Sequence, residues 1–322
     1  MKNKKISYES LSYKYLNKEK LKSKNAGGDI QKYINASQSV STKRAYASDL
    51  RHFLAHGGRV PCKPKRLGKY LAESANNGLA VATLERRLTA IHKAHLDHKF
   101  PSPAHSEIVK QVMQGIRRTL GTKQRQARPL MKNDLVAVLM DIENKQMPIK
   151  AARDQALLLI GFASAMRRSE LVGVRMDDLK FVSEGFEVFL PFSKTDQERN
   201  GRYIVVPYAA GIHCPVIALK KWLKLSKISD GYLFRSVNRH DGVGRKGLSP
   251  QSVSLILKAA MLRIGANAND ISAHSLRAGY CTTAVGEGIS SWKIRAQTGH
   301  KSEMTLAKYI RVNEMRKTAS LL

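Results

Sequence analysis

Tyr309 sits in the string Ala307-Lys308-Tyr309-Ile310, and a free phenol with a pKa near ~10 is a poor nucleophile at neutral pH. It attacks only when cations lie beside it. Upstream in the chain stand Arg167, Lys194, His274, Arg277 and His300. Guanidinium groups suit the extra negative charge that a phosphodiester gathers on its nonbridging oxygens in the transition state, because their planar forks bind it bidentately. A tyrosine nucleophile, cations that hold the phosphate and a proton donor for the departing oxygen would together cleave a phosphodiester without metal or water. Such is the chemistry that these residue types could perform in common.

Taken singly, each has an ordinary explanation. Arg167 lies in Ala165-Met166-Arg167-Arg168-Ser169-Glu170-Leu171, between an apolar helical run and the start of the next helix. An arginine there often does no more than decorate a helix end. Successive helical positions point about 100° apart, so one of Arg167 and Arg168 should face away from any cleft. His274 and Arg277 share a helix face at i, i+3 spacing, yet His-x-x-Arg is common by chance. His300 follows Gly299 at a turn between helices, where glycine is expected as a helix terminator. Lys194 falls in a polar turn between two strands, a place usually charged for solubility alone. The histidines and cysteines show no zinc-finger or HExxH spacing, so neither a metal nor a cofactor is expected. Gly242-Val243-Gly244-Arg245-Lys246-Gly247 satisfies a dinucleotide-binding pattern, but no strand-turn-helix unit surrounds it, and it reads as a mobile basic loop.

The order and spacing of these strings resemble the catalytic domain of the tyrosine recombinases, the phage-integrase family. The relevant strings are Arg167 before Ser169-Glu170-Leu171, then His274-Ser275-Leu276-Arg277, then Gly299-His300-Lys301, and Tyr309 nine residues after His300. The family carries Gly-Leu before the first arginine, and Ala165-Met166 departs from that. The resemblance implies that Tyr309 is the nucleophile and that Arg167 and Arg277 clamp the phosphate. It makes His274 a hydrogen-bonding or proton-transfer group, His300 a phosphate contact and Lys194 the general acid. Glu170 would orient a cation from behind.

Positioning such a set requires a particular scaffold. Residues 1–38, with eight lysines before position 25, read as a basic tail, disordered or tracking a DNA backbone. Four helices without strand signal follow over 39–120, the first capped by Ser41 and the fourth starting at Ser106. They predict a helical bundle, the core-binding domain of the resemblance. The polar, basic stretch 121–129 ending in Pro129 reads as a linker. Residues 130–322 predict the catalytic domain, mostly helical, with strands at 179–182, 186–190 and 202–206 forming a small antiparallel sheet. The overall class is mostly α, an α+β fold.

The composition names the partner. Fifty-six Lys+Arg against 25 Asp+Glu leave a net charge of +31, which calls for a polyanion. No apolar run approaches the ~18–20 residues of a membrane span. The N-terminal Met1-Lys2-Asn3-Lys4-Lys5 is no signal peptide, so a cytoplasmic, nucleoid-associated protein is expected. Three distant cysteines, Cys62, Cys214 and Cys281, predict reduced thiols. The resemblance implies site-specific strand exchange on double-stranded DNA through a 3′-phosphotyrosyl link and a Holliday junction, by a homo-tetramer on two duplexes. A type IB topoisomerase and a non-catalytic DNA-binding protein of the same fold are the alternatives.

Overall fold

A computed structural model describes residues 32–33, 36–123, 126–191, 200–300 and 302–307. They fall into two compact units that divide after residue 125.

The first unit is helical. It comprises α1 (Val40–Ala55), α2 (Pro64–Asn76), α3 (Val81–Asp97) and, after a short 3-10 turn at Pro103–His105, α4 (Glu107–Leu120). The helix starts are written in the chain. The cap of α1 is Ser39 rather than Ser41, because its hydroxyl reaches the Thr42 N–H at 3.1 Å. Pro64 opens α2, where a missing N–H costs nothing. Phe53, Leu67, Leu71, Leu84, Ile91 and Met113 are almost wholly buried between the helices. Each such side chain contributes about 1.5–3 kcal/mol. Asp49 is buried too, with its carboxylate gripped by the Arg86 fork at 2.8 and 2.9 Å.

The second unit contains α5 (Lys132–Lys145), α6 (Pro148–Ala163), the short α7 (Arg168–Gly173), α8 (Pro215–Ser226), α9 (Pro250–Arg263), α10 (His274–Gly286), α11 (Ser291–Thr298) and α12 (Glu303–Ala307). Strands β1 (Leu179–Val182), β2 (Gly185–Leu190) and β3 (Arg202–Pro207) form an antiparallel meander. Phe186, Val188, Leu190, Ile204 and Val206 turn inward, onto a core that includes Leu157, Leu158, Trp222, Phe234 and Leu257. Helix α6 is buried on every side from Ala151 to Gly161, and takes Arg153 and Asp154 inside as an ion pair at 2.6 Å.

The glycine-rich stretch read as a mobile loop is instead a hairpin of β4 (Arg235–Val237) and β5 (Val243–Gly247). Its turn is fixed by Asp241, whose two carboxylate oxygens accept from the Ile149 and Lys150 N–H groups at 2.7 Å each. Those donors belong to the first turn of α6 and have no partner within their own helix. A distant carboxylate satisfies them, so the hairpin is tied to the helix end.

Candidate active site

The site begins where α6 stops. Ser164 folds its hydroxyl back onto the Ile160 carbonyl at 2.6 Å, and the next residue, Ala165, adopts φ +49. Left-handed backbone costs an alanine roughly 1–2 kcal/mol, and the family glycine at this position would avoid that cost. Ala165 is fully buried nonetheless. The reversal aims its carbonyl at α10 and sets Arg167 at the N-cap position of α7.

Arg167 and Glu170 then close on each other. The Arg167 N–H donates to Glu170 Oε2 at 3.0 Å, and its Nη1 donates to Oε1 at 2.6 Å. Glu170 is buried, Arg167 is about one-fifth exposed along its side chain, and neighbouring Arg168 is exposed. Only one of the two adjacent arginines therefore enters the site.

Helix α10 brings the second arginine. His274 stands at its first position, exposed, and Arg277 lies one turn further in with 2% exposure. The Arg277 Nη1 donates to the Ala165 carbonyl at 2.8 Å and to the Thr298 carbonyl at 2.6 Å. It therefore spans the reversal after α6 and the C-terminus of α11, where a cation is favoured by the helix dipole. Its Nη2 meets His300 Nε2 at 2.7 Å.

That last contact fixes the histidine's proton. A guanidinium only donates, so His300 Nε2 accepts. Nδ1 then carries the hydrogen and gives it to Thr298 Oγ1 at 2.9 Å, while the Thr298 hydroxyl donates to the Ile294 carbonyl at 2.7 Å. Burial pushes the His300 pKa down to about 3, helped by the charges of Arg277, Arg167, His274 and Arg202. The imidazole is neutral at physiological pH and acts as an acceptor that orients Arg277.

Of the residues nominated from sequence, Arg167, Glu170, His274, Arg277 and His300 share one neighbourhood. Lys194 and Tyr309 lie outside the described residues; β3 begins eight residues after the first, and α12 ends two residues before the second. Sequence reasoning missed Arg202. It opens β3 in phase with Ile204 and Val206, on the inward row, and its guanidinium reaches Glu170 Oε2 at 3.5 Å. An arginine at the head of a buried alternating row was the available signal, because a cation pointing inward needs a partner.

The Phage integrase family profile matches residues 129–316, and the phage integrase N-terminal SAM-like domain matches 30–95. An integrase/recombinase XerD homologue of Selenomonas ruminantium is 36% identical over 286 residues, covering 86% of this chain and 83% of its own length. The chain belongs to the phage integrase family. The Cre recombinase of Escherichia phage P1 is 24% identical over 268 residues, covering 78% of this chain and 76% of its own. Two solved structures share the phage-integrase fold. The XerH recombinase bound to palindromic difH substrate, a post-cleavage complex, gives a TM-score of 0.64 at 18% identity, covering 97% of this chain and 93% of that one. The Tn1549 transposon integrase with transposon right-end DNA gives 0.65 at 14% identity, covering 96% and 98%.

Proposed function

We propose that this chain is a site-specific DNA recombinase that cleaves and rejoins strands through Tyr309. The phenol oxygen attacks the scissile phosphorus, passing its proton to His274, and forms a 3′-phosphotyrosyl bond as the bond to the 5′ oxygen breaks. Lys194 protonates that leaving oxygen. The 5′ hydroxyl of a partner strand later displaces the tyrosine, first to a Holliday junction and then to recombinants, with no external energy source. Four protomers on two duplexes carry out the exchange. The relatives that match along most of the chain are named recombinases, and both solved structures are protein–DNA complexes. The net charge of +31 supports the same partner.

The observation that carries the reading is Arg277. A guanidinium with 2% exposure, held by two carbonyls and a neutral imidazole beside the Arg167–Glu170 pair, is organised before any substrate arrives. Preorganised charge of this kind lowers the barrier to phosphoryl transfer without the cost of rearranging.

The test is covalent capture. The purified chain is incubated with fragmented DNA, denatured, and the fragments attached to protein are sequenced. The expected result is one short recurrent sequence joined through its 3′ phosphate. Tyr309→Phe should bind the recovered site with unchanged affinity and give no adduct, since phosphate contacts elsewhere supply the affinity. An adduct from the phenylalanine variant would remove Tyr309 from the role. Random attachment sites, with relaxation of any supercoiled plasmid, would point to a topoisomerase.

A further inference from the structure

Arg202 has a position that solubility and stability alone do not explain. Its side chain is 19% exposed and its Nη2 lies 3.5 Å from Glu170 Oε2. Nη1 donates to the carbonyls of Ala296 at 3.2 Å and Gln297 at 2.7 Å, and Nη2 to that of Thr298 at 3.5 Å. Among the described residues its buried Nε meets no acceptor. The plane rests on Gly299, where a Cβ would come within 3.1 Å of both Cζ and Nε. Gly299, at φ +69, thus terminates α11 and leaves room for the guanidinium as well.

One cation therefore joins two parts of the site. Glu170 is the carboxylate that holds Arg167, and the α11 carbonyls are the group that holds Arg277 and leads into His300. The arrangement is costly. Burial lowers the Arg202 pKa, with the Arg277 and Arg167 charges adding to it and Glu170 opposing. A buried ion pair is weak evidence for stability, because apolar residues of similar volume often serve as well. What a fork between a carboxylate and a helix end does supply is a fixed separation.

We infer that Arg202 is a positioning residue for strand cleavage: it holds the Glu170 carboxylate and the α11 C-terminus at a set distance, and so orients Arg167 and His300. It does this without touching DNA. The inference rests on the recombinase reading of the site and adds to it a residue that neither motif nor spacing selects.

The test compares Arg202→Met, similar in length and uncharged, with Arg202→Lys and the parent. Single-turnover adduct formation and affinity are measured on the captured site, together with thermal melting and an NMR titration of the His300 ring. Residues that orient metal ligands from behind typically cost about 10–100-fold when removed, and Arg202 stands in the same relation to Arg167. Arg202→Met should lose adduct formation on that scale while DNA affinity stays within about twofold of the parent at constant salt, since a sheltered guanidinium makes no phosphate contact. Arg202→Lys should recover part of the rate, because an ammonium can pair with Glu170 but cannot fork across the carbonyls. The His300 titration should move up from about 3 when one nearby charge is lost. In a Glu170→Gln background, Arg202→Met should cost less than in the parent, because the shared partner is gone.

Parental cleavage in Arg202→Met, or a loss matched by an equal loss of affinity, overturns the inference. If Arg202→Met does not fold, Arg202→Lys melting with the parent decides, and parental rates there overturn it. A parent that forms no adduct would sink the recombinase reading instead. The His300 titration, which needs no DNA, would still report on Arg202.

Discussion

Arg167, Arg168, Arg202 and Arg277 are the same side chain in four environments, and environment sets what each can do. Arg168 is exposed, Arg167 is about one-fifth exposed and paired with Glu170, and Arg202 and Arg277 are held by backbone carbonyls. Arg167→Ala and Arg277→Ala should each slow adduct formation by roughly 10²–10³-fold, the usual loss for one preorganised oxyanion partner. Arg277→Ala should also lower the melting temperature, since it strips the Ala165 and Thr298 carbonyls of a donor. Arg168→Ala is the internal control and should change only the salt-dependent part of binding. Gel assays on nicked sites measure all three, and a near-parental single-turnover rate in either alanine variant at 167 or 277 would discard the clamp. These two arginines were nominated because the strings that carry them resemble the tyrosine recombinases in order and spacing; taken singly, neither stood out. Arg202 escaped because its partners, Glu170 and the end of α11, lie far away along the chain and only the fold brings them together.

At the scale of elements, what positions the site is two close approaches. The reversal at Ser164–Ala165 turns one carbonyl toward Arg277, and the segment leading into α5 lies flat on α10. In the second approach, the Leu130 N–H donates to the Ser275 carbonyl at 2.9 Å, and the Leu130 carbonyl occupies the space a Cβ on Gly279 would need, only 1.9 Å from it. Backbone cannot yield as a side chain can. Gly279→Ala should therefore lower the urea stability of the second unit by about 1–3 kcal/mol, the range for overpacking a close-fitted site. It should also weaken cleavage, because α10 carries Arg277. A variant as stable as the parent would show that the segment shifts freely. The helix and strand periods were legible in the sequence, which is why the β1–β3 meander and the helix α10 could be read from it. Asp241 and the β4–β5 hairpin were not legible. A hairpin whose turn is held by the N–H groups of a helix some 90 residues earlier leaves no local signal beyond its glycines. Asp241→Ala should cost about 0.5–2 kcal/mol, the range for losing a helix cap, read in the same urea titrations.

On the scale of the whole chain, the cationic surplus was visible in composition, but the distribution of histidines acquires meaning only in the structure. Six of the ten histidines, His52, His56, His92, His95, His98 and His105, belong to the first unit. His95 is fully buried, with Nδ1 on the Ile91 carbonyl at 2.8 Å and Nε2 accepting from the Cys62 N–H at 3.1 Å. That geometry requires a neutral ring. Burial depresses its pKa, the His92 and His98 charges add to this, and the Ile91 bond opposes. Burial also lowers His52, assisted by Arg87 and His56 against Asp49, and lowers His92, assisted by His105. The sign follows from linkage. A histidine whose folded pKa lies below its unfolded value binds fewer protons in the native state, so stability is whole above the unfolded pKa of about 6.5 and declines as pH falls beneath it. The first unit should accordingly open more readily at pH 5.5 than at pH 8. Hydrogen exchange of peptides from α3, corrected for the intrinsic pH dependence, measures it. His95→Gln, whose amide oxygen can still accept from the Cys62 N–H, should flatten the profile. Equal protection at both pH values in the parent would mean that these rings are protonated as easily in the bundle as in the unfolded chain.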